Sequence, residues 1–72
     1  MKMLVYSKDM ASAKNTAKKA PKDGVTAMFV TDETEEVIDS IQSGWRPDLA
    51  FVATREDQQL LSALGVAASV IP

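Results

Sequence analysis

Cysteine and histidine are both missing from this chain of 72 residues. Without cysteine there is no thiol nucleophile, no redox pair and no disulfide. Without histidine the usual general base near neutral pH is absent. A zinc site would have to be built from carboxylates alone, which is unusual for that metal. A carboxylate or a lysine could still do acid–base work, but only if burial moved its pKa. The sequence therefore leads us to expect no catalytic residue, no metal, no cofactor and no enzymatic activity. Glycine is scarce too. Gly24, Gly44 and Gly65 each follow a predicted helix, and none remains for the turns after the predicted strands. Phosphate-cradling loops need glycine there so that the backbone can approach the ligand, so neither a P-loop nor a dinucleotide fingerprint is present.

Long apolar runs are also lacking, and none approaches the ~20 residues of a membrane span. The opening stretch, Met1 to Ser7, carries one charge and too short an apolar centre for a signal peptide, so it reads as a first strand. A cytoplasmic protein that does not enter a membrane is expected. A chain this short buries only about 60% of its unfolded surface. Its core is marginal and no cross-link is available to supplement it, so a protein partner or a homo-oligomer is a reasonable source of added stability.

The chain does contain a repeated layout. Val5-Tyr6-Ser7-Lys8-Asp9, Phe29-Val30-Thr31-Asp32-Glu33 and Val52-Ala53-Thr54-Arg55-Glu56 each run from apolar residues through a hydroxyl to charges. Ser7, Thr31 and Thr54 are spaced by 24 and 23 residues, which suits a strand, a turn, a short helix and a return. Serine and threonine are strong helix N-caps, so the unit reads as strand, cap and helix, repeated three times. Strands are predicted over residues 2–7, 25–31 and 49–54, and helices over about 9–20, between a cap at Asp32 or Thr34 and Gly44, and over about 56–64. A short fourth strand fits 67–71. In the second helix Asp32 and Glu35 have capping-box spacing, with Thr34 as an alternative cap. The third strand is continuously apolar, as a strand covered on both faces should be.

The fold class that follows is a small βαβαβα(β) domain, residues 1–72, with a mostly parallel sheet flanked by helices. Leu4, Tyr6, Met28, Val30, Phe51 and Val52 are the predicted sheet core. Val37, Ile38, Ile41, Leu60, Leu61 and Leu64 should pack on them, with Met10, Ala13, Ala17 and Ala20 forming a thin inner face on the first helix.

In open α/β sheets, ligands bind beyond the carboxyl ends of the strands. That rim would gather Lys8, Asp32 and Arg55 into a candidate site for a small anion, or the same residues would pair and solvate the helix starts. Charge is divided along the chain. Residues 1–22 hold six lysines and one aspartate, net +5, and residues 23–72 hold nine acids and two arginines, net −7. Lys14 and Lys18 on the first helix could meet an acidic protein or a nucleic acid. The helix has no arginine and no interleaved aromatic, which argues against nucleic acid. Trp45 beside Arg46 has hot-spot composition for a partner contact, or Trp45 folds back onto the second helix.

Val5-Tyr6-Ser7-Lys8, Ala17-Lys18 and Gly44-Trp45-Arg46 together resemble parts of a glutaredoxin. Ala11 and Lys14 stand where that family has its cysteine pair, so the resemblance implies a thioredoxin-like fold without redox activity. Arg46-Pro47-Asp48-Leu49-Ala50-Phe51-Val52 resembles the third strand of a response-regulator receiver, with Ala53 and Thr54 where the phosphoacceptor aspartate would stand. A degenerate thioredoxin-like fold is thus the alternative architecture, distinguished by an antiparallel strand before the third helix. The favoured function is a small non-catalytic protein-interaction or regulatory module acting through an exposed sheet edge or helix face. The alternatives are a ligand sensor or enzyme at the rim, and a nucleic-acid-binding accessory protein using the first helix.

Overall fold

A computed structural model describes residues 1–71. Strands and helices alternate strictly: β1 Lys2–Tyr6, α1 Met10–Lys19, β2 Ala27–Thr31, α2 Thr34–Gln42, β3 Leu49–Val52, α3 Arg55–Ala63 and β4 Ser69–Val70. The four strands form one sheet in the order β2-β1-β3-β4, and every pairing is parallel. No antiparallel strand precedes α3, and the strand that follows it pairs parallel with β3. This corrects the thioredoxin-like alternative and bears out the βαβαβα(β) expectation.

Alternation along β1 divides the core into two. Leu4 and Tyr6 face Val37 and Ile41 of α2, Leu61 of α3, Val66, and Ala50 and Val52 of β3. Met3 and Val5 face the opposite way, toward Ala17 and Ala20, with Val30, Leu49 and Phe51 partly buried around them. Two helices therefore cover one face and α1 alone covers the other. Alanines at 13, 17 and 20 let α1 sit close to the sheet, and Thr16 is buried beside them. Met3 and Val5 belong to the core although only their neighbours were expected there. A central strand covered on both faces buries every side chain. The reverse correction applies to Met28, which was expected inside and is 39% exposed, because β2 is an edge strand.

The helix starts differ from one another. Thr54 is the N-cap of α3: its hydroxyl accepts from the Asp57 N–H at 3.2 Å and donates to the Asp57 carboxylate at 3.0 Å. Asp9, not Ser7, caps α1, accepting from Ser12 N–H at 2.8 Å. In α2 the cap position falls on Glu33, which makes no side-chain cap bond, so neither Asp32 nor Thr34 caps it. Thr31 instead accepts from Glu33 N–H at 3.0 Å and donates to Glu36 at 3.1 Å, bracing the turn from the strand end.

The helix ends set the direction of the residues that follow them. Gly44 has φ +99° and Gly65 φ +83°, the left-handed region that glycine enters at least cost. After α2, Gly44 N–H bonds Ile41 C=O and Trp45 N–H bonds Ser40 C=O. After α3, Gly65 N–H bonds Ser62 C=O and Val66 N–H bonds Leu61 C=O. Both are Schellman closures, which fold the following residue back over the last turn. Val66 is thereby buried and Trp45 half-buried.

Candidate functional site

Two regions stand out: the rim at the strand carboxyl ends and the β2 edge. At the rim the chain leaves β1 through α1 toward β2 on one side and returns through α2 to β3 on the other. The crevice between the ends of β1 and β3 is thus the topological switch point where such folds bind ligands. Lys8 and Glu56 form an ion pair across it, with 65% and 77% of their side chains exposed. The Glu56 hydrogen bond and charge raise the Lys8 pKa, and the same bond lowers that of Glu56. Neighbouring rim groups are also engaged. Tyr6 Oη and Thr34 Oγ1 share a hydrogen bond of 2.6 Å, tying β1 to the start of α2. Asp57 is buried and held by Thr54. Lys8, Asp32 and Arg55 follow three different strands, and the partner of Lys8 is Glu56 rather than Asp32. Among the described residues no cluster of three or more acids, histidines or cysteines could hold a metal ion.

On the acidic side of the rim, Glu36 raises the pKa of the exposed Glu33, with burial and Asp32 adding to the effect. This corner is therefore a concentration of like charge, located just beyond the end of β2.

The β2 edge has a different character. Residues Ala27–Thr31 read AMFVT, with no charge, no proline and no glycine. One side of β2 pairs with β1 in the register Ala27 opposite Lys2 and Phe29 opposite Leu4. Ala27 N–H reaches Met1 C=O at 3.4 Å, and Thr31 C=O accepts from Ser7 N–H at 3.3 Å. Ladder bonds alternate along a parallel strand, so Ala27, Phe29 and Thr31 bond inward to β1. The N–H and C=O groups of Met28 and Val30 consequently face out of the sheet.

Beside this edge lies a cleft of about 360 Å³ lined by Ala27, Met28, Phe29, Ser40, Ser43 and Trp45. The Schellman closure sets Trp45 edge-on against Phe29, with ring centres 5.9 Å apart and planes at 88°. Lys2 Nζ lies 6.0 Å from the centre of the Trp45 ring, within reach of a cation–π contact. Trp45 thus folds back on α2, as one of the two sequence readings has it, and also walls the cleft. Arg46 does not join it, because its Nη1 lies against Gly65 at the end of α3. Lys14 and Lys18 are exposed on α1, and Lys22 Nζ reaches the Lys18 and Ala20 carbonyls, each at 3.3 Å.

Sequence reasoning selected Trp45 but missed Met28, Phe29, Ser40 and Ser43. The available signal was an uncharged β-prone run between Gly24 and Asp32. Its meaning depended on β2 being an edge, which local sequence does not encode. No protein-family model, curated protein or solved structure matches this chain. No helix among the described residues is long and apolar enough to cross a membrane.

Proposed function

We propose that this chain is a non-catalytic protein-interaction module that takes an extended polypeptide segment on the free edge of β2. One observation carries the reading: Met28 and Val30 present unpaired backbone donors and acceptors on an uncharged strand, next to an aromatic-walled cleft. Edge strands that must stay free are usually blunted by lysine, proline, a bulge or extreme shortness. β2 has none of these devices. Strand addition would supply backbone hydrogen bonds, and alternate side chains of the guest would point toward the Trp45 cleft, giving affinity and selectivity together.

The engagement of the rim supports placing function at the edge. Lys8 is paired with Glu56, Asp57 is taken by Thr54 and Tyr6 is taken by Thr34. A displayed peptide library selected on the immobilised chain tests the proposal. Extended, apolar-rich peptides should emerge, alter Trp45 fluorescence, and lose binding to Met28→Lys and Val30→Pro. Val30→Pro removes an N–H that no strand of the fold uses, so the fold should tolerate it. Selected peptides that bind both variants as well as they bind the parent chain would overturn the reading.

A further inference from the structure

We infer that the strand received at this edge is β2 of a second copy, paired antiparallel about a two-fold axis through Phe29. The inference rests on the strand-addition reading above and specifies its partner. Only Met28 and Val30 face outward, and they are two residues apart. In an antiparallel pair, a residue with both groups facing outward must meet another of the same kind. Centring the axis on Phe29 sets Met28 opposite the second copy's Val30 and Val30 opposite the second copy's Met28. Every outward donor and acceptor of the edge then finds a partner. Shifting the register by one residue would set outward groups against inward-facing ones.

Side chains agree with this register. Met28 meets Val30 on the α1 face, covering the 39%-exposed Met28. Phe29 meets Phe29 on the opposite face, where the Trp45 cleft of each copy gives room for an aromatic ring. Cross-strand apolar and aromatic pairs are what stabilise such a junction.

Charge agrees as well. The N-terminal end of β2 is positive. The Met1 ammonium bonds Gly24 C=O at 2.7 Å, Lys2 stands over Trp45, and Lys22 precedes the strand; these three cations outnumber the two carboxylates there, Asp23 and Asp48, the latter accepting from Lys2 N–H at 2.9 Å. The C-terminal end is negative, with Asp32, Glu33 and Glu36. Antiparallel pairing sets the positive end of each copy beside the negative end of the other, and parallel pairing would oppose like charges. The axis stands normal to the sheet, so both α1 helices lie on one face and both α2 helices on the other. The dimer would have one basic face and one acidic face on a continuous sheet. Two five-residue strands bury little area compared with a standard interface, so the association should be weak, with a micromolar or weaker dissociation constant.

Sedimentation of the parent chain across a wide concentration range should show a monomer–dimer equilibrium, lost in Met28→Lys. The absence of native cysteine makes the register directly readable. At the axis the two Phe29 Cα atoms should be about 4.5 Å apart, which a disulfide can span. Phe29→Cys should therefore cross-link to dimer on oxidation. Met28→Cys should not, because its own copy is diagonal to it at roughly 7–8 Å. If Phe29→Cys does not fold, hydrogen exchange of the parent chain decides. Met28 and Val30 amides should gain about tenfold protection on concentration, with Val70 unchanged. A parent chain that stays monomeric when concentrated, or a dimer that leaves these two amides unprotected, would overturn the inference. If such a monomer still binds selected peptides through β2, the interaction-module reading stands; if it binds none, both fall.

Discussion

The two edges of this sheet are built in opposite ways. β4 is two residues long, and Gln58 of α3 donates to the carbonyl of Ala68, the residue just before it, at 2.8 Å. β2 is five residues long, uncharged, and leaves Met28 and Val30 with free backbone groups. A cleft adjoins each edge. The one near β4 is lined by Gln58, Gln59, Ser62, Ala67 and Ala68, and the one near β2 has Trp45 and Phe29 in its wall. Shortness blunts one edge, and β2 carries no comparable device. The fold itself therefore does not require a long, uncharged edge. One end of the sheet is blunted by its two-residue strand, so the state of the other is a property of the β2 sequence.

The largest expected effect comes from removing the side chain that joins the β2 edge to the body of the domain. Phe29→Ala should cost about 2–3 kcal/mol, since it loses burial and the edge-on contact with Trp45. Val70→Ala on the other edge should cost about 1 kcal/mol. Urea unfolding of both variants checks this, and equal losses would break the asymmetry between the edges.

The helix closures beside each edge give the next test. Gly44→Ala and Gly65→Ala both force a side chain into left-handed backbone, at about 1–2 kcal/mol each. Only Gly44→Ala should shift Trp45 emission, because only that closure positions the indole against Phe29. Thr54→Ala should cost about 1 kcal/mol through the lost cap of α3 and leave Trp45 emission unchanged. Denaturation followed by fluorescence and by circular dichroism separates these outcomes.

The smallest effect is expected at the rim. Lys8→Ala should leave the urea midpoint at neutral pH almost unchanged, because both members of the Lys8–Glu56 pair are exposed and solvent-screened. Its pH dependence has a definite sign. The folded Glu56 pKa is lowered, so its contribution is present above the unfolded pKa and fades as pH falls through the folded value. The folded Lys8 pKa is raised, so its contribution is present below the unfolded pKa and fades as pH rises through the folded value. Comparing parent and variant stability across acid, neutral and alkaline pH measures this. A large loss at neutral pH would move attention from the β2 edge to the rim.

Much of the architecture was legible from local signals. The recurrence of apolar run, hydroxyl and charge every two dozen residues marked three strand–helix units, and glycines marked the ends of α2 and α3. The same reading erred on caps because three similar motifs met three different turns. Thr54 stands next to Arg55, the first residue of α3, whereas Ser7 and Thr31 each stand three residues before the first residue of their helix. In those longer turns Asp9 and Glu33 occupy the cap position instead.

The order of elements, the parallel sheet, the Ala-rich inner face of α1 and the absence of cysteine and histidine chemistry can all be read along the chain. Those follow from periodicity, propensity and composition, which act over a few residues. That Lys8 meets Glu56, that Trp45 walls a cleft with Phe29, and that β2 is an edge while β1 is central all depend on long-range packing. Val5 and Val30 are the same residue type in similar runs, yet Val5 is buried and Val30 has an outward-facing backbone. The physical reason is that strand order is set by where the helical crossovers return the chain, across separations far longer than any local pattern records.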